Sequence, residues 1–136
     1  PGHPVVRWML GQALVMKGMY PQAISLNEQW LQTDPTSQLL IREGGIAYAK
    51  AGRRDKAEEM ISRLGEMAKT QYVPPSNIAA IYAALGDKDK AFVELNKAFE
   101  VRDWSLYRMN ADVALWNPLR DDPRFKEMLK RLNLPE

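Results

Sequence analysis

Gly18, Gly52 and Gly86 stand 34 residues apart, and that period limits the folds open to this chain more than any other feature. Ala23, Ala57 and Ala91 repeat at the same spacing, each five residues after its glycine. Upstream, Gly11, Gly45 and Ala79 keep the period, as do Leu14, Tyr48 and Tyr82. Self-similarity at roughly 20–50 residues marks stacked supersecondary units, none of which can bury its apolar face alone.

Each column has a physical reason. Apolar residues at helical spacing precede every glycine: Val5, Trp8, Met9, Leu10 and Ala13, then Leu39, Leu40, Ile46 and Ala47, then Ile78, Ile81, Tyr82 and Leu85. The glycine ends the helix, because a left-handed backbone costs least where there is no Cβ. A second amphipathic segment follows each time, over residues 21–32, 55–69 and 88–100, with Pro21 suited to a first helical turn. Ala23, Ala57 and Ala91 fall early in those second helices, where small side chains let antiparallel helices approach. Gly11, Gly45 and Ala79 are their expected opposing contacts. Asp34-Pro35-Thr36-Ser37 closes the first unit and caps the next helix. The expected fold is all-α, three stacked hairpins at about 4–37, 38–71 and 72–102, then a C-terminal cap over 103–136, in one domain.

The cap is a reading of composition. After Glu100 the period breaks and large apolar residues follow: Trp104, Leu106, Tyr107, Met109, Leu115, Trp116 and Leu119. Asp122-Pro123 then opens a last helix, with the acid as N-cap and proline in the first turn. Phe125, Met128, Leu129 and Leu132 recur at i, i+3, i+4 and i+7 and give it one apolar face. A terminal hairpin needs such a lid, so these aromatics are expected in a core rather than around a ligand.

The repeat columns resemble the tetratricopeptide repeat. The first unit supplies Leu10-Gly11, Leu14, Gly18, Tyr20, Ala23 and Pro35; the second, Gly45, Tyr48, Gly52, Ala57 and Ile61; the third, Ala79, Tyr82, Gly86, Ala91 and Leu95. The likeness covers about residues 4–102. Arg7 stands where that family has tryptophan, Asn27 where it has phenylalanine, and the second unit lacks a closing proline. Tyr72-Val73-Pro74-Pro75, Ala83-Ala84-Leu85-Gly86-Asp87 and Asp122-Pro123-Arg124-Phe125 look like the tetratricopeptide stretches that close bacterial multidomain signalling proteins.

That resemblance implies a right-handed superhelix whose first helices line a concave groove for a peptide. Carried over residue by residue, the groove takes Trp8, Gln12, Val15 and Met16 from the first unit, Arg42, Ile46 and Lys50 from the second, and Asn77 from the third. Trp8 and Arg42 are expected partly exposed, as anchors of the kind that dominate protein interfaces. The family's basic clamp for a peptide carboxylate is absent, since Trp8, Gln12, Glu43 and Ala80 hold the matching places.

Residue inventory argues against chemistry. With no cysteine, neither a disulfide nor a thiolate metal site can form. His3 is the only histidine and lies in a Pro-Gly-His-Pro leader. Asp87 with Asp89, and Asp121 with Asp122, fall at helix starts, where carboxylates satisfy free N–H groups and the dipole. No enzyme activity, cofactor or metal is expected. Nineteen Lys and Arg are interspersed with 17 Asp and Glu, so no basic face for nucleic acid is expected. No apolar run approaches the ~20 residues that cross a bilayer. The expectation is a cytoplasmic interaction scaffold that binds a peptide or partner protein, part of a larger regulatory protein because the chain opens at Pro1 without methionine. The alternative is self-association as a homodimer, or packing against an output domain upstream.

Overall fold

In the computed structural model, residues 3–136 are described; the start of the Pro-Gly-His-Pro leader, and the side chains of Pro4 and Ala114, lie outside that description. Gly18, Gly52 and Gly86 adopt φ of +75°, +79° and +80°, the left-handed conformation their period predicts. The helices are α1 (Pro4–Met16), α2 (Tyr20–Thr33), α3 (Gln38–Lys50), α4 (Arg54–Met67), α5 (Pro75–Leu85), α6 (Lys88–Glu100), α7 (Val113–Trp116) and α8 (Pro123–Arg131). Turns of 3-10 helix cover Trp104–Arg108 and Asn117–Leu119. No strand occurs among the described residues. The α6 bounds are those read from the sequence. The α4 helix stops two residues short of the expected end, because Lys69 and Thr70 bond three residues back, to Glu66 and Met67. Backbone contacts divide the chain into two units, Pro1–Val73 and Pro74–Glu136.

In the first unit α1 packs on α2, α3 on α4, and α3 also on α1 and α2. Ser37 caps α3, its Oγ accepting from Leu40 N at 3.3 Å. Ala23 and Ala57 are buried as their column requires. At Gly11 an added Cβ would meet the Trp30 ring at 3.9 Å, so that ring lies over the glycine. Asn27 is buried, and its Nδ2 donates to the Leu40 carbonyl at 2.9 Å. On α3, Leu40, Ile41 and the run from Glu43 to Tyr48 are all buried, as befits a helix packed on more than one side.

The second unit pairs α5 with α6 and sets α7 and the Asn117–Leu119 turn against α5. Leu106, Met109, Trp116, Leu119, Phe125, Met128, Leu129 and Leu132 are buried and form the cap core. Trp104 and Tyr107 correct the expectation: both are exposed, Trp104 by 75%. A 3-10 turn eclipses positions i and i+3, so the two rings share one side, while Leu106 and Met109 take the inside. Buried Asp103 holds this turn to α5. Its carboxylate accepts from Ser76 N at 3.1 Å, Ser105 N at 3.2 Å and Ser105 Oγ at 2.6 Å.

Asp122 caps α8, its Oδ1 accepting from Arg124 N at 3.0 Å. Two arginines seven residues apart on α8 then meet two phenylalanines seven apart on α6. The Arg124 guanidinium lies 4.5 Å from the Phe92 ring centre, and that of Arg131 lies 4.1 Å from that of Phe99. Arg124 also pairs with Asp89 at 2.9 Å and Arg131 donates to Asn96 Oδ1 at 2.9 Å. The matched order means that α8 runs parallel to α6, clamped at both ends.

Candidate functional site

The residues expected in the groove divide into accessible and interior sets. Met16 is 70% exposed at the end of α1, while Gln12, Val15 and Lys50 are half-buried. Trp8 is also half-buried, and its indole nitrogen is enclosed without a hydrogen-bond partner among the described residues. With Val15 it lines a cavity of about 10 Å³ between α1, α2 and α3, beside Arg7, Asn27, Trp30 and Glu43. Trp8 therefore packs between helices and offers only part of its ring outward.

Three placements differ from the groove expectation. Ile46, only 5% exposed, belongs to the core, since the α3 surface it occupies is covered. Arg42 is not an open handle: its Nη2 bonds Glu43 Oε1 at 2.7 Å and its Nε the same oxygen at 3.2 Å, with the side chain 12% exposed. Burial of the Glu43 carboxylate accounts for this, because a charge removed from water needs a close countercharge. Asn77 lies at the start of α5 in the second unit and is buried. Unit one thus brings together Trp8 and Val15 but leaves Met16 as the most open of the predicted groove residues.

Around this set, α1 carries an apolar surface wider than a groove needs. Val5, Val6, Met9, Leu10 and Met16 are all exposed. Arg7 is the only charged residue within α1. Val6, Met9 and Leu10 recur at i, i+3 and i+4, a stripe of the kind that packs on another helix.

Titration is perturbed in two structural places. The Tyr48 phenol is pushed up to about 12, first by burial and then by the Glu28 carboxylate that accepts its hydrogen bond at 2.7 Å. The Asp122 carboxyl is held down at about 2, chiefly by side-chain hydrogen bonds from Arg124. Both are explained by helix packing and capping. Among the described residues no cluster of three or more acids or histidines is placed to hold a metal ion, and no helix is long and apolar enough to cross a membrane.

A feature missed in the sequence lies in the second unit. Arg102, directly after the C-cap of α6, has φ +57°, a conformation that favours glycine. It borders a cleft of about 480 Å³ with Phe99, Tyr107 and Arg131. The available signal was an arginine where a helix end favours glycine, followed by aromatics three residues apart.

No protein-family model matches the chain, and neither a curated protein nor a solved structure matches it.

Proposed function

We propose that this chain is a tetratricopeptide-type interaction scaffold within a larger regulatory protein, binding a peptide or partner segment along α1 and the adjoining part of α3. The observation that carries the reading is the exposed apolar surface of α1, with Met16 and Val5 open beside half-buried Trp8, Gln12 and Val15. The 34-residue glycine period and the hairpin pairing support a scaffold whose first helices present the ligand surface. Lys50, at the end of α3, adds a cation to a face that is otherwise without charge apart from Arg7 and the Arg42–Glu43 pair. In this reading the chain contributes no catalytic group and no cofactor.

A second reading, self-association, is favoured by one separate observation: the Val6, Met9 and Leu10 stripe is also open. Sedimentation equilibrium separates the two. The scaffold reading expects the monomer mass at micromolar concentration, together with a partner retained by the wild-type chain and lost with Met16→Asp. A dimer that Met9→Asp dissociates, with no partner retained, overturns it in favour of self-association.

A further inference from the structure

We propose that the cleft at the end of α6 is a separate docking site, for a peptide carrying a carboxylate beside an apolar side chain. All its residues lie within Pro74–Glu136, so the site does not depend on the α1 surface.

The first observation is Arg102. Its N–H donates to Phe99 O at 3.2 Å and the next N–H, of Asp103, to Ala98 O at 2.8 Å, which closes α6 in the form that usually ends on glycine. Gly18, Gly52 and Gly86 show the chain using glycine at the same left-handed geometry three times. At residue 102 it instead carries a long cation whose backbone is less stable there than glycine would be. Departures of this kind collect at functional positions.

The second observation is charge. Arg102 and Arg131 both line the cleft, and among the described residues neither is paired with a carboxylate. The Arg131 guanidinium lies over the Phe99 ring with one nitrogen bonded to Asn96, which restrains its fork in advance. Of the two acids in the lining, Asp103 is buried and fully engaged by Ser76 and Ser105. Glu100 alone then opposes two guanidiniums, and the cleft favours a carboxylate.

The third observation is the apolar frame. Phe99, Leu106, Tyr107 and Leu132 line the same cleft. Tyr107 is 56% exposed and Trp104, one 3-10 turn away on its side, is the most exposed large hydrophobic side chain described. Rigid aromatics beside arginines are the composition of an interface anchor. A free small acid or a phosphate would use the guanidiniums and leave the aromatics idle; a peptide with an acid next to Leu, Phe or Trp uses both.

The test is selection of displayed random heptapeptides on the full chain, followed by affinity measurement of the winning peptide through tryptophan emission. The expected result is enrichment of Asp or Glu adjacent to a large apolar residue. Arg102→Gly should weaken the winner about tenfold or more, as loss of a charge-assisted hydrogen bond does, while its melting temperature stays at or above that of the wild type. Tyr107→Ala should weaken it with no change in fold, and Met16→Asp should leave it unaltered, which keeps this site distinct from the α1 surface. No enrichment, acid-poor winners, or full affinity in Arg102→Gly overturns the proposal. So does a change in mass showing that a second copy fills the cleft, or binding of ATP in place of any peptide.

Discussion

Asn27 on α2 lies against Gly44 on α3, where its carboxamide occupies the space that a methyl group would need. The same amide donates to the Leu40 carbonyl at 2.9 Å, one helical turn before Gly44. A buried polar side chain thus lies between the two helices, and the glycine opposite lets it approach. Neither residue's role is readable without the other.

Gly44→Ala should therefore destabilise the chain by about 1–3 kcal/mol through overpacking, even though alanine is the better helix former by about 1 kcal/mol. Adding Asn27→Ala should recover part of that loss, since the obstructing group is gone. Urea unfolding of the two single variants and the double variant measures the coupling. Strict additivity contradicts the packing relationship.

Gly52 makes the opposite case. Nothing lies within 4 Å of a Cβ built there, so only backbone strain at φ +79° opposes a substitution. Gly52→Val should cost about 1–2 kcal/mol, and Gly52→Asn clearly less, because asparagine tolerates the left-handed region, as Asn133 does at φ +58°. Equal melting temperatures for the two variants would show that conformation is not the cause.

Tyr48 gives a pH signature. Its raised value means that the folded state favours the neutral phenol. That stability is fully present below pH 10 and is lost as pH rises towards about 12, because the unfolded chain releases the proton first. Ultraviolet titration should show one of the tyrosines ionising last. Glu28→Gln should bring it down, by removing the carboxylate that accepts its hydrogen bond. An unchanged titration in that variant would leave burial as the sole cause.

The α6–α8 register predicts a joint effect. Arg124→Ala with Arg131→Ala removes both guanidinium–phenylalanine contacts and the Asp89 pair, and should lower the melting temperature of the cap. Deleting residues 123–136 should cost more and promote aggregation, because it uncovers the apolar surface packed against Phe125, Met128 and Leu129. Thermal melts and light scattering check both.

The hairpin boundaries were legible in the sequence because glycine period, helix caps and apolar spacing all mark the same places. Ser37 and Asp122 cap as their residue types predict. The groove was less legible. Ile46 looked accessible because a helix packed on several sides has no polar stripe to betray which side is covered. Arg42 and Glu43, adjacent in sequence, point apart on an ideal helix, and only burial of the carboxylate draws the long guanidinium back to it. Trp104 and Tyr107 were read as core from their size alone. Which side of a turn they occupy depends on 3-10 rather than α geometry, and composition does not encode that.

Partner binding is assigned to the α1 surface, whose most open predicted residue is Met16. Calorimetric titration of the partner segment retained by the wild-type chain tests this most directly, comparing wild type with Met16→Asp. Burying a methionine side chain contributes about 1.5–3 kcal/mol, so the variant should bind about ten- to a hundredfold more weakly with its helical circular dichroism unchanged. Equal affinity for the two proteins would rule out the α1 surface as the binding site.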